Sequence, residues 1–331
     1  MVKYAFAGFR HGHIYRLLDM VRNNENTEIV GAWEENEAAR KDAADNHGVE
    51  FTYDSYEAIL KDPSVDVVAI GDYYGRRGEM VIAALKAGKN VQIDKPICTS
   101  LKELKKIEAL VKKTGLKVGC MLDMRYSNYA LTVKDIIDAG MLGEIHQVMF
   151  TGQHPLLYGS RPGWYFEDGK HGGTINDLAI HGVDIVKHIT GKKMKRIVAA
   201  RTWNAFADKE PNFCDAAQFM LELEGGTGVI ADVSYSAPGL ITYSMPQYWR
   251  FTYWGTKGML EYNNVEGNVG GDISMTLTET QETVHVPVKE GNRTYLDSFL
   301  DELAGKDSEF TTEEVIESSR DTLMIQAAAK A

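Results

Sequence analysis

Asn90-Val91-Gln92-Ile93-Asp94-Lys95-Pro96 is the stretch whose reading decides the fold. Its first four residues are β-prone, and the proline ends them: it has no N–H to donate and pushes Lys95 toward an extended backbone. A lysine delivered to the carboxyl end of a parallel strand and aimed out of the sheet stands where open α/β sheets bind their ligands. Alone, the tripeptide describes only a strand end and a turn. Its neighbours give it weight.

On its amino side the chain alternates strand-like and helix-like segments. Val2 to Ala7 reads as a buried strand, Ile14 to Val21 as a helix, Glu28 to Trp33 as a strand and Glu35 to Asn46 as a charged helix. Val65 to Ile70 is an apolar run suited to a parallel strand buried on both faces. Glu79 to Ala87 is the next helix, stopped by Gly88. On the carboxyl side follow a helix over Leu101 to Lys113 and a strand over Leu116 to Met121. Five or six strands alternating with helices predict an α/β domain with a doubly wound parallel sheet, residues 1–122.

After Asp123 the pattern changes. Helices are expected over Asn128 to Ala139 and Thr174 to Ile189. Long β-prone runs cover Ile145 to Thr151, Ile197 to Trp203, Ala216 to Leu223, Thr227 to Tyr235, Trp249 to Trp254 and Gly258 to Tyr262. Gly225-Gly226 marks a hairpin between two of them. This predicts an α+β domain, residues 123–331, with a large, mostly antiparallel open sheet and a late helix over Thr312 to Ala329. Trp249, Phe251, Tyr253 and Trp254 either fill its core or form an exposed sheet face that pairs with another subunit.

Composition narrows the functional classes. The 331 residues suit about two domains, and 44% hydrophobic with 25% charged residues is ordinary for a globular protein. A net charge of −11, with no long lysine and arginine block, argues against nucleic acid as a partner. No run approaches a membrane span, and Met1 to Ala7 is too short for a signal-peptide core. Cys98, Cys120 and Cys214 are widely spaced and odd in number, with no metal-ligand spacing and no disulfide framework. A reducing cytoplasm is the simplest compartment.

The first strand runs into Gly8-Phe9-Arg10-His11-Gly12-His13. A dinucleotide fingerprint wants Gly-x-Gly-x-x-Gly here, for a tight turn and close backbone approach to a pyrophosphate. Gly8 fits; Arg10 and His13 occupy the second and third glycine positions, and Gly12 is one position off. The placement at a strand–turn–helix junction still favours an anion. Glu34, 26 positions after Gly8, ends the second strand, where an acid accepts hydrogen bonds from a ribose 2′-OH and repels a 2′-phosphate. NAD is therefore expected ahead of NADP.

Gly172-Gly173-Thr174 opens a helix on which Asp177, His181, Asp184 and His188 share one face at i, i+4, i+7 and i+11. On spacing alone, a plain amphipathic helix with its polar face in water is the ordinary explanation. A zinc site is disfavoured because no second ligand cluster is evident, so no metal is expected.

The glycine turn, the acid at the second strand tip, Asp94-Lys95-Pro96 and the Asp-x-x-x-His helix, in this order, resemble the Gfo/Idh/MocA family, the glucose–fructose oxidoreductase and inositol dehydrogenase group. The resemblance covers essentially the whole chain. Members usually carry Glu-Lys-Pro, from which Asp94 departs. It implies that Lys95, Asp177 and His181 line a substrate cleft beside the nicotinamide, and that the protein is a homodimer or homotetramer paired through its open sheet. Histidine titrates near neutrality and suits a general base removing an alcohol proton; Lys95 would hydrogen-bond the reacting oxygen or itself act as the base. Cofactor contacts are expected at Gly8, Phe9, Arg10, His11, Gly12, His13, Glu34, Asp94 and Lys95. Asp72-Tyr73-Tyr74-Gly75-Arg76-Arg77 replaces the family's Thr-Pro-Asn-like turn, and Asp72, Tyr73 and Tyr74 are further cofactor candidates. Arg125, Tyr126, His154 and Trp164 are candidates for substrate, with Tyr158, Arg161 and His171 nearby in a loop suited to a sugar or cyclitol. The leading expectation is an NAD-dependent dehydrogenase acting on a sugar, sugar derivative or cyclitol. A lyase or glycosidase with an internal redox cycle and a non-catalytic ligand sensor are the alternatives.

Overall fold

A computed structural model describes residues 1–239, 245, 247–264 and 272–329 of the chain. Val2–Ala7 (β1), Thr27–Trp33 (β2), Val67–Ile70 (β3), Asn90–Ile93 (β4) and Val118–Cys120 (β5) form one parallel sheet in the order β2-β1-β3-β4-β5. All four residues of β3 are buried, as the apolar run predicts for a strand covered on both faces. The strand order reverses at β1, so the carboxyl ends of β1 and β3 flank the topological switch point, where such sheets take their ligands.

The helices of this sheet are His13–Arg22 (α1), Glu37–His47 (α2), Tyr56–Lys61 (α3), Tyr74–Lys86 (α4) and Leu101–Thr114 (α5). Asn36, Ser55 and Ser100 cap α2, α3 and α5 by accepting backbone N–H bonds from Ala39, Ala58 and Glu103. The short α3 was not anticipated. Helix α4 begins at Tyr74, five residues before the predicted start at Glu79. Its glycines suggest a turn, but they serve close approach: a Cβ on Gly75 would lie 2.1 Å from the Gly169 carbonyl oxygen, and one on Gly78 2.5 Å from the Glu103 carboxyl carbon.

The second sheet has eight strands: Ile145–Pro155 (β6), Met194–Trp203 (β7), Ala216–Leu223 (β8), Gly228–Ala237 (β9), Trp249–Gly255 (β10), Gly258–Asn264 (β11), Ile273–Leu277 (β12) and Thr283–His285 (β13). Their order is β13-β12-β11-β10-β6-β9-β8-β7; among the described residues, only β6 and β9 run parallel. Gly225 and Gly226 both have positive φ in the β8–β9 connection, as the hairpin reading requires. Asn128–Asp138 (α6) and Ile180–Thr190 (α7) belong to the same part of the fold. One sheet face carries Phe150, Phe219, Phe251 and Tyr262 in mutual ring contact. Helix α7 lies close on that face, since a Cβ on Gly182 would sit 2.2 Å from the Phe150 ring. Of the late aromatic residues, Trp249, Phe251 and Tyr253 are buried and Trp254 is exposed. Met149, Ile230 and Met220 are exposed and aligned by register across β6, β9 and β8.

The chain divides into two compact units. The first comprises Met1–Met121, Gly169–Gly172 and Thr294–Arg320; the second comprises Leu122–Asp168, Gly173–Arg293 and Asp321–Ala331. The first unit therefore includes Tyr295–Leu303 (α8), started by a Thr294/Asp297 capping box, and the first half of Thr312–Ala328 (α9). No helix among the described residues is long and apolar enough to cross a membrane.

Candidate active site

In the first unit, Gly8 has φ +85°, and a Cβ there would lie 2.8 Å from both Cβ and N of Asp72. Only glycine allows β1 to turn this tightly against the β3 end. The Gly71 carbonyl accepts the N–H groups of Arg10 (3.0 Å) and His11 (3.1 Å), which fixes the loop between the two strand tips. Glu34 is buried at the tip of β2 and accepts the Phe9 N–H at 2.6 Å and the Asn36 N–H at 2.7 Å. Burial raises its carboxyl above the usual range, with these two N–H groups opposing. Arg10 lies over the Tyr73 ring at 5.6 Å, and Arg76 donates to Asp72 (3.0 Å) and Glu35 (2.5 Å). Among the described residues, no atom stands within 4 Å of a Cβ built on Gly12. The residues thus fit a dinucleotide in outline: a tight glycine turn at the switch point, uncrowded space beside Gly12 at the start of α1 and a carboxylate at the second strand tip.

Asp94 is the hub of this unit. Its Oδ2 takes His11 Nδ1 at 2.5 Å and an Arg77 N–H at 2.7 Å, and its Oδ1 lies 3.2 Å from His13 Nδ1. Arg77 is fully buried and also donates to the carbonyls of Asp72, Asp94 and Lys95. It clamps the backbone that carries Lys95, whose bond to Pro96 is cis. Burial opposes the charge on Asp94, but Arg77 and the two histidines overcome it and hold the carboxyl well below its usual range. His11 Nε2 lies 3.0 Å from the Tyr74 hydroxyl, and Lys95 Nζ sits 5.7 Å from the centre of the Tyr74 ring. His171, also in this unit, packs its ring 5.7 Å from Tyr74. Sequence reasoning sought a metal only at the Asp177 helix. Among the described residues, the donor atoms that converge within 4.8 Å are instead those of His11, His13 and Asp94. A carboxylate already holding a buried guanidinium is a poor seat for a divalent cation, and the three read as a hydrogen-bonded network.

In the second unit, Asp177 lies in a π-helical turn, Ile175–Ala179, that leads into α7. Such turns recur at functional sites. The turn begins at Gly173, whose φ is +104° and whose Cβ would lie 2.2 Å from Gln326 Oε1. That same oxygen accepts the Ile175 N–H at 3.0 Å, so a side chain from α9 caps the turn. Asp177 accepts the hydroxyl hydrogen of Tyr235, whose phenol is pushed well above its ordinary range by burial and the Asp177 charge. His181 is buried, 6.0 Å from the Trp249 ring; His154 packs edge-on against Trp249, Tyr248 and Tyr235. Trp164 is buried against Tyr165 at 4.2 Å, and Arg161 covers the Tyr165 ring at 4.8 Å. Arg125 is buried in a two-bond pair with Asp184 at 2.7 Å each, with Tyr126 half-buried beside it. Sequence reasoning missed Tyr235 and Tyr248. Tyr235 was findable by the alternation Val229, Ala231, Val233, Tyr235, which places it on the buried face of β9.

Two family descriptions match the chain. Residues 2–121 match "Oxidoreductase family, NAD-binding Rossmann fold", and residues 130–261 match "GFO/IDH/MocA C-terminal domain". The chain belongs to the Gfo/Idh/MocA family. Membership assigns residues 2–121 to the NAD-binding Rossmann domain of an oxidoreductase family, and the substrate does not follow from it. Among curated relatives, it is 27% identical over 229 residues to the uncharacterised oxidoreductase YrbE of Bacillus subtilis, covering 68% of this chain and 63% of that protein. It is 26% identical to the myo-inositol 2-dehydrogenase of Thermotoga maritima, covering 77% of this chain and 72% of that one. The scyllo-inositol 2-dehydrogenase (NAD+) of B. subtilis is 28% identical, over 72% of this chain and 68% of that one. The solved structure of an aldose-aldose oxidoreductase from Caulobacter crescentus, complexed with glycerol, has a TM-score of 0.82 at 18% identity, covering 99% of this chain and 97% of that one. That likeness concerns the fold.

Proposed function

We propose that this Gfo/Idh/MocA protein is an NAD-dependent dehydrogenase that oxidises a secondary alcohol of a sugar, sugar derivative or cyclitol. The observation that carries this reading is the burial of Asp177 and His181 where the π turn leads into α7, with Tyr235 bonded to Asp177 and with His181, His154 and Tyr248 all packed on Trp249. The names of the inositol dehydrogenases among its relatives support the substrate class. Gly8 through His13, Glu34, Asp72, Tyr73, Tyr74, Asp94 and Lys95 would hold the dinucleotide. When bound, the nicotinamide ring supplies the hydride acceptor. His181 accepts the proton of the substrate hydroxyl as general base, Asp177 orients the substrate or the imidazole, and Lys95 donates a hydrogen bond to the oxygen as it gains negative charge. Buried aromatic faces beside hydrogen-bonding tips match the alternating C–H faces and hydroxyls of a ring polyol. Glu34 favours NAD over NADP by charge. The aligned exposed row Met149, Ile230 and Met220 supports self-association through the outer sheet face.

The test is thermal stabilisation by NAD and by NADP, followed by NADH absorbance with inositol isomers and aldoses. Stabilisation by NAD with NADH formed from one ring polyol or aldose is expected. Stabilisation with no NADH from any of them would overturn the dehydrogenase reading.

A further inference from the structure

The proton and hydride steps just proposed give His11 and Tyr74 no part beyond contact with the dinucleotide, although both are buried and directly linked. Asp94 is anchored by the fully buried Arg77 at 2.7 Å and stays charged, so His11, 2.5 Å away, donates from Nδ1. Its Nε2 is then the acceptor, and the Tyr74 hydroxyl at 3.0 Å is the donor. The groups facing His11 are Asp94 at the end of β4, Tyr74 and Arg77 on α4, and His13 on α1. Burial pushes the His11 imidazole down to about 3; Asp94 raises it, while His13 and Arg77 lower it further. His11 is therefore neutral in one tautomer, which Asp94 fixes as the carboxylate of a hydrolase triad fixes its imidazole. The Tyr74 ring it orients lies under Lys95 Nζ.

We propose that Asp94, His11 and Tyr74 form a positioning relay for Lys95, in which the fixed tautomer of His11 holds the Tyr74 ring against the lysine nitrogen. The relay rests on the reading of Lys95 as the residue that contacts the reacting oxygen. Arg77 serves it twice: it charges Asp94 and, through the Asp94 and Lys95 carbonyls, fixes the backbone from which the lysine springs. A ring face beneath a lysine limits the positions its nitrogen occupies through the π cloud, and not through a hydrogen-bond acceptor. Tyr74 and His11 are positioning residues; they need not touch substrate.

The experiment is nitrogen NMR of the protein labelled in histidine, without nucleotide or substrate, from neutral to mildly acidic pH. The relay predicts a protonated Nδ1 with a far-downfield hydrogen for His11, an unprotonated Nε2 whose shift changes in Tyr74→Phe, and no titration over this range. A His11 that is protonated at Nε2, or that titrates near the ordinary ~6.5, would overturn it. So would stoichiometric Zn²⁺ uptake abolished by His13→Ala, which would make the three donors a metal site. Because this readout needs no turnover, it separates failure of the relay from failure of the dehydrogenase reading. With a substrate in hand, Tyr74→Leu should lower kcat roughly 10- to 100-fold with KM within about twofold, while Tyr74→Phe, which keeps the ring, loses no more than about fivefold. His11→Gln, which still reaches Asp94, is the second variant should Tyr74→Leu not fold, and a severalfold loss in kcat is expected. Unchanged kcat in the folded variants would overturn the positioning role.

Discussion

Asp94 and Asp177 are both buried, each serves one half of the candidate machinery, and they are kept in opposite ways. Asp94 is surrounded by a buried guanidinium and two imidazoles, so its charge is compensated where it stands. Asp177 is held by the Tyr235 phenol, a neutral donor that brings no compensating charge. The same side chain thus meets charged donors in one unit and a phenol in the other. What surrounds a carboxylate, more than its type, sets how its ionised form is kept.

The sharpest way to break this comparison lies next to Asp177. His181→Ala should lower kcat roughly 10²- to 10⁴-fold while NAD affinity, measured by titration calorimetry, stays within about twofold. Equal loss of both would mean that His181 supports the fold instead. Next in size is Arg77→Met, which strands the Asp94 charge. It should cost about 3–5 kcal/mol in denaturant unfolding. Arg77→Lys should not restore it, since an ammonium cannot reach a carboxylate and three carbonyls in a fixed plane. Tyr235→Phe, removing only a neutral donor from a charged acceptor, should cost about 1.5–3 kcal/mol. A larger loss than that of Arg77→Met would invert the comparison.

Acid sharpens it further. His11 binds its proton far less readily folded, at about 3, than unfolded, at ~6.5. A depressed folded value means the contribution is fully present above ~6.5 and is lost as pH falls. Between ~6.5 and ~5 the protein should lose about 2 kcal/mol, at ~1.4 kcal/mol per pH unit. Asp94, also depressed, adds loss in the same direction at lower pH. The His11→Gln variant should show a flatter melting temperature over this window; an unchanged slope would remove His11 from the account. The smallest effect on stability belongs to Ile230→Lys on the exposed sheet face, within about 0.5 kcal/mol. The same change should shift the sedimenting mass toward monomer if that face pairs subunits.

The parallel sheet was readable because its strands are short apolar runs separated by helices with serine, asparagine and glycine boundaries. The start of α4 was not, because Gly75 and Gly78 carry the signature of a turn while serving close packing. Helical spacing singles out Asp177 and His181 in the sequence, but the π turn at Ile175–Ala179 departs from the regular period that spacing assumes. The Asp94–Arg77–His11 cluster was beyond reach. Its members are 17 and 83 positions apart, and no local pattern reports a contact made by three separate strand and helix ends.

The exposed flank of the parallel sheet is finished late. Strand β5 ends that sheet, and its Val118 N–H bonds the Thr312 hydroxyl, 194 positions downstream. Gly119 has no side chain because Phe299 of α8 stands 2.5 Å from where a Cβ would be. A nascent chain that has already made all five strands therefore still presents an uncovered edge while the whole second sheet is being synthesised. Strand edges of this kind template unwanted pairing. Fragments that stop after β5 should aggregate, and the first unit to leave the ribosome should be among the last to reach its final form.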